Sequence, residues 1–159
     1  MSWPKRTIRG VNYDFVHLQP FVLKVPNVNP HSDPYKVRVQ FGCHVFSKAL
    51  EPADAPDLHV QDGSAVRCFC PIRHGQSRFL RGILRDAADK NVLISHSSNC
   101  CLLTPLPGLA GPYATFFDLR KAAARRLDVH LMVRSAYEKR YPPRMASIGF
   151  SVLIDSLLR

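Results

Sequence analysis

No run of about 18 consecutive apolar residues occurs in this chain, so no membrane-spanning helix is expected. The opening residues, Met1 to Arg6, carry positive charge but no apolar stretch follows them, and no secretory signal is expected. A P-loop, a dinucleotide-binding glycine fingerprint, a Gly-x-Ser-x-Gly elbow and the paired-histidine helix of metalloproteases are all missing. These absences remove support for the nucleotide-hydrolysing, dehydrogenase, serine-hydrolase and zinc-protease classes. Carboxylates are scarce, 12 against 22 lysines and arginines, and several of them fall together in residues 51–63. Two-metal phosphoryl chemistry needs clustered carboxylates, so a metal-dependent nuclease is not expected. Cysteine is odd in number, five in all, which argues against a disulfide framework and for reduced thiols in the cytoplasm. Cys68-x-Cys70 with His74, and the adjacent Cys100 and Cys101, lack the two-to-four-residue spacing of zinc ligand pairs. No metal and no cofactor are therefore expected.

What remains is a basic chain of 159 residues with a formal net charge of +10 and 46% apolar residues. That length and composition suit one domain with a real core. A cationic surface of this strength attracts polyanions. Nucleic acid is the first partner class to consider, RNA ahead of DNA, with an acidic protein or an antitoxin as the competitor.

The expected organisation is a loose basic N-terminal arm at residues 1–10 and a single α+β domain at 11–159. It is read as an antiparallel sheet with two main helices packed on one face. Strands are predicted at residues 21–25, 35–46, 64–70, 91–95, 101–104, 113–120 and 129–137, and residues 51–63 are expected to be a surface loop. The strand at 35–46 is the plainest, because Tyr35, Val37, Val39 and Phe41 alternate with Lys36, Arg38, Gln40 and Gly42. Residues 72–88 show helical spacing of Ile72, Gln76, Phe79, Leu80, Ile83, Leu84 and Ala87. Residues 121–127 suggest a short helical turn, and one helix over 116–127 is the alternative. Ser147 is expected to cap a final helix carrying Phe150, Leu153, Ile154, Leu157 and Leu158. The expected core comprises Val37, Val39, Phe79, Ile83, Phe117, Leu131, Val133, Phe150 and Ile154.

Two basic constellations follow. On the first helix, His74, Arg78, Arg81 and Arg85 fall on one stripe, with Arg73 beside it, and the spacing places this stripe opposite Phe79 and Ile83. A guanidinium suits phosphate because its planar fork reaches two oxygens. The second cluster runs through Arg120, Lys121, Arg125, Arg126, Arg134, Lys139, Arg140 and Arg144, interleaved with Tyr137 and Tyr141. Aromatic faces among cations suit stacking on unpaired bases. For either cluster the competing reading is a solvated surface. Histidine in an arginine field is also the minimum kit for metal-free RNA cleavage. His74 is the preferred acid–base candidate, with His44, His17 and Tyr137 as alternative members. A Cys43–His44 pair is disfavoured, because neighbours on a strand point to opposite faces.

Several strings carry a resemblance: Tyr13-Asp14-Phe15-Val16-His17-Leu18, Phe41-Gly42-Cys43-His44, Arg73-His74 followed by Ser77, and Phe116-Phe117-Asp118-Leu119-Arg120 before Arg134-Ser135-Ala136-Tyr137. They resemble small bacterial proteins associated with mobile elements and labelled stationary-phase growth adaptation proteins. Those motifs carry no assigned chemistry. In outline, a helix followed by a basic antiparallel sheet is also similar to RelE-type ribonuclease toxins. That likeness implies a metal-independent endoribonuclease, although the N-terminal strands and cysteine-bearing strands depart from those shorter toxins. The function expected is thus a nucleic-acid-binding protein acting on RNA, with a ribonuclease toxin as its enzymatic form. The alternative is a mobile-element accessory or inhibitor protein whose basic face docks on an acidic partner.

Overall fold

A computed structural model describes residues 2–95, 97, 99–141 and 144–159. The chain opens with a hairpin, β1 (Arg6–Ile8) and β2 (Val11–Tyr13). Its two turn residues, Arg9 and Gly10, both have positive φ, which the twist of a two-residue hairpin requires. The hairpin buries Ile8, and Trp3 sets its ring edge-on to Phe46. Residues 6–8 of the expected loose arm are therefore paired strand.

A main sheet of seven strands follows, built from β3 (Phe21–Val25), β4 (Tyr35–His44), β8 (Asn91–Ile94), β9 (Cys100–Thr104), β10 (Tyr113–Lys121), β11 (Val129–Glu138) and β12 (Ala146–Gly149). Their spatial order is β12-β8-β9-β10-β11-β4-β3. A small sheet of β5 (Ser47–Ala49), β6 (His59–Asp62) and β7 (Ala65–Phe69) has the order β5-β7-β6. Residues 51–63, expected as loop, thus contribute a strand, β6. Period-two alternation holds along β4, where Val37, Val39 and Phe41 are buried while Lys36 and Arg38 are exposed. The sheet is not purely antiparallel: β11 pairs with β4 in parallel, with Leu131 opposite Val39.

The expected α+β class with two main helices is overturned. Strand makes up 42% of the structure and helix 19%, with one bent helix as the main helical element. That helix comprises α1 (Pro71–Ser77) and α2 (Leu80–Ala87); the remaining α3 (Phe150–Leu158) has nine residues. The sequence pattern suggested one straight helix over 72–88. Instead the ladder tightens at its middle, where Arg78 N–H donates to the Gly75 carbonyl and Phe79 N–H to that of Gln76. These bonds span three residues rather than four, the geometry of a tight 3-10 turn. The bend changes which residues face inward. Ile72 and Phe79 lie outside, with Phe79 49% exposed, while His74 and Ser77 are buried. Polar residues occupy the inner stripe of α1 because each has a partner there. An apolar set at Ile72 and Phe79 fits helical periodicity equally well, so periodicity misplaced the face.

Apart from Phe79, the expected core residues are buried. Leu80, Ile83 and Leu84 of α2 and Phe150 and Ile154 of α3 belong to the same core as Leu23, Val37 and Val39. Phe117 meets Phe150 at 5.9 Å between ring centroids. Ser147 lies in β12 and is not a helix cap; Gly149 precedes α3. Residues 122–127 form a turn, closed by Ala122 N–H donating to the Asp128 carbonyl, so neither helical reading of that segment holds.

Candidate nucleic-acid interface

Alternation gives the main sheet a second face, exposed on β3, β4 and the far end of β10, while Tyr113, Ala114 and Thr115 at the start of β10 are buried. Register sets its side chains in rows. Arg38 on β4 stands beside Val22 of β3 on one side and His130 of β11 on the other, and His130 stands beside Arg120 of β10. Lys24 and Lys36 form the neighbouring cross-strand pair. Val22, Lys24, Lys36, Arg38 and Arg120 are all exposed. Like charges directly opposite one another on a sheet are destabilising. The acid on this stretch is Asp118, and it is engaged, accepting from Arg134 Nε at 2.6 Å.

Along the same face the sheet is irregular. A bulge shifts the β10–β11 register between Phe116 and Phe117 and leaves Arg134 as the extra residue, exposed at the surface. Beyond it the rings of Phe116 and Tyr137 stand 5.8 Å apart. Lys139 Nζ lies 5.9 Å from the first ring and 5.7 Å from the second. Arg73 reaches across from α1 and sits 5.0 Å over Tyr137 while donating to the Ser47 carbonyl at 2.7 Å. Together with Asn99, Arg134 and Ser135, these rings line a cleft of about 330 Å³. A cleft of this kind offers a ring face to a planar base and cations to its phosphate.

The helix stripe has a different character. Arg81 is pinned, its Nε donating to the His17 carbonyl at 3.0 Å and its Nη2 to the Gln19 carbonyl at 2.6 Å. Its guanidinium lies 4.8 Å over Phe21, and that of Arg85 lies 5.6 Å from the same ring. Burial, with Arg85 nearby, lowers the Arg81 pKa. Arg78 is exposed and faces Asp14 at 4.0 Å. His74 is buried at 3% exposure among Tyr13, Phe15, His17 and Phe69, with ring centroids 5.1–5.6 Å away. Its Nε2 is 2.7 Å from the Asp14 carbonyl.

Of the four acid–base candidates, the structure brings together His17 and His74 and separates them from the other two. His17 Nε2 is 2.7 Å from Ser77 Oγ, which itself donates to the His74 carbonyl, so His17 must be the donor to Ser77. Burial, reinforced by His74 and Arg78, pushes the His17 pKa down to about 4. His44 lies at the far end of β4, 2.8 Å from Asp62. Tyr137 lies in the cleft.

The second basic cluster divides. Arg120, Arg134 and Lys139 share the open face or its cleft. Lys121 donates to the Leu158 carbonyl at the other end of β10. Arg125 and Arg126 are exposed in the turn after β10, beside Asp33 and Asp128, and Arg140 and Tyr141 are exposed just beyond β11. Arg38 and Lys36 were placed on the outward face by their alternation but not joined to the cluster, and Phe116 was passed over. The convergence of Arg38 and Lys36 with the cluster depends on the β4–β11 pairing and that of Phe116 on the β10–β11 pairing, for which nothing in the local pattern gives a signal.

A family model described as the YjaZ family matches residues 5–158. The chain belongs to that family. No curated protein and no solved structure matches it.

Proposed function

We propose that this YjaZ-family chain binds single-stranded nucleic acid, RNA in preference to DNA, on the uncovered face of its main sheet. The observation that carries the reading is the pair Phe116 and Tyr137, 5.8 Å apart on a basic face, with Lys139 Nζ over both rings and Arg134 lining the same cleft. Stacking on such rings contributes about 1–3 kcal/mol per base and tolerates any sequence, because every base has a flat π-face. From the cleft a strand would run along the row of Arg120, His130 and Arg38, where unrelieved positive charge meets its phosphates. RNA is favoured because its loops and ends present unstacked bases to a ring platform.

The reading is for binding rather than strand cleavage. Of the four acid–base candidates only Tyr137 lines this path, while His74 is enclosed by rings and committed to a backbone carbonyl. The test is fluorescence anisotropy with a labelled unstructured RNA, its DNA counterpart and a duplex at low salt. Single strands should bind, RNA more tightly than DNA, and Tyr137→Ala should weaken binding about 5- to 150-fold, the equivalent of losing one stacked base. Equal affinity for duplex and single strand would sink the proposal. Co-purification of a stoichiometric acidic protein, with no binding to either nucleic acid, would favour the docking alternative.

A further inference from the structure

We propose that Cys43, His44 and Asp62 form a binding site for a thiophilic divalent cation of the zinc type, independent of the nucleic-acid face. One ligand atom from each of the three lies within 4.8 Å of the others. Strand logic would separate Cys43 from His44, but the pleat ends here. Val45 N–H donates to the Gly42 carbonyl and Phe46 N–H to the Cys43 carbonyl, so the backbone curls at the end of β4. The curl carries both side chains toward the last residue of β6. The site therefore joins the main sheet to the small one.

Thiolate, imidazole and carboxylate are the ligand types that zinc takes, at about 2.0–2.3 Å each. Atoms on a tetrahedron of that size stand roughly 3.4 Å apart. His44 Nε2 and Asp62 Oδ2, now 2.8 Å apart, need to part by only a fraction of an ångström. Their side chains are 40% and 42% exposed, so a cation has a way in and a fourth position faces solvent. Cys43 is buried beneath them, at 2% exposure.

An ordinary surface ion pair accounts for His44 and Asp62 but not for a buried thiol aimed at the carboxylate. A cysteine–histidine nucleophile does not account for it either, because the imidazole is engaged with Asp62 at 2.8 Å and the thiol is buried at 2% exposure. A thiophilic cation accounts for all three, since it takes the thiolate, releases the proton and neutralises both anionic ligands. The surroundings hold the geometry in place. Ser47 Oγ donates to the Cys43 carbonyl at 2.7 Å and accepts from Arg67 Nε at 2.9 Å.

The test uses cobalt(II) as a coloured probe on the purified full chain, followed by displacement with zinc(II). One equivalent of cobalt should give the near-ultraviolet thiolate-to-metal charge-transfer band, and zinc should abolish it. Cys43→Ser should remove the band, while Cys70→Ser, at a partly exposed thiol elsewhere, should keep it. Losing an outer-shell partner of a metal ligand costs about 10- to 100-fold in affinity, and losing a ligand costs no less. His44→Gln and Asp62→Asn, both half-exposed, should each weaken zinc binding by at least that factor. A wild type without the band, or a band unchanged in Cys43→Ser, overturns the site. Should Cys43→Ser fail to fold, unchanged zinc affinity in both half-exposed variants overturns it instead. RNA binding by these variants should match wild type, so this result and the sheet-face proposal stand or fall separately.

Discussion

Replacing Arg38 and Arg120 together by alanine removes both cations flanking His130 on the open face. Four cations line the proposed path: Arg38, Arg120, Arg134 and Lys139. Each phosphate neutralised on a single strand contributes about −0.7 to the slope of log affinity against log salt. If each of the four engages one phosphate, the slope is roughly −2.8, and affinity falls about 50-fold between 50 and 200 mM salt. The double variant should halve the slope to roughly −1.4, so the same salt interval costs only about sevenfold. Arg78 and Arg85, on the bent helix, provide the control: alanine at both should leave the slope near −2.8. The assay is anisotropy of a labelled unstructured RNA at four or five salt concentrations, with circular dichroism to confirm folding. A slope unchanged in the Arg38→Ala/Arg120→Ala protein, or one halved in the Arg78→Ala/Arg85→Ala protein, would refute the assignment of the sheet face and move the site to the helix.

Arg81→Ala should destabilise the fold by about 1–3 kcal/mol in urea denaturation, because two backbone carbonyls lose a charged donor, and should leave RNA binding unchanged. Phe150→Ala should cost about 3–5 kcal/mol by the same assay, since its fully buried ring packs on Phe117. Phe79→Ser, at the outer side of the bend, should stay within roughly 0.5 kcal/mol of wild type; a loss above 2 kcal/mol would mean that the residue is core. Stability should also fall as the pH drops from 6.5 toward 4. The folded protein holds His17 neutral down to about 4 beside His74, Arg78 and Arg81, with Asp14 opposing, whereas the unfolded chain takes up its proton near 6.5. The full shift corresponds to roughly 3 kcal/mol, and about 2 is expected because His17 is only half-buried. His17→Gln should flatten the profile in that window, and an unchanged profile would remove His17 as its source.

The outward row of β4 was legible in the sequence because alternation there is strict: Lys36 and Arg38 fall on the exposed side as their spacing requires. Strands at 21–25, 64–70, 91–95, 101–104, 113–120 and 129–137 could be placed as runs between breakers rather than by alternation, and the buried residues of α2 followed helical spacing. The bend at Arg78 and Phe79 was not legible. A polar inner stripe of His74 and Ser77 is stable only because β2 and the segment after it supply rings and a carbonyl, and those contacts lie 60 residues away in the chain. The carbonyls of His17 and Gln19 that hold Arg81 were not legible for a related reason: a guanidinium looks solvated in a sequence until the groups it caps are known. The cleft itself was half visible, since Tyr137 and Lys139 stood out among cations. Arg134 belonged to the same expected cluster, whereas Phe116 joined it only through the β10–β11 pairing and its bulge, which no local pattern announces. Cys43 and His44 were set apart by a rule about pleats that holds within strands and fails where the strand ends.

The parallel pairing of β4 with β11 also bears on how the chain is made. Lys36 and Asp128, which bond across this junction, are 92 residues apart. On a ribosome adding about 5–20 residues per second, β4 emerges roughly 5–20 s before its neighbour. During that interval β3 covers one side of β4, while the other side presents unpaired amides and carbonyls beside Val37, Val39 and Phe41. An open, apolar strand edge is a template for other chains. The nascent protein therefore passes through a period of vulnerability that the finished sheet conceals, and a fragment ending before Val129 should accumulate as aggregate rather than as a smaller folded unit.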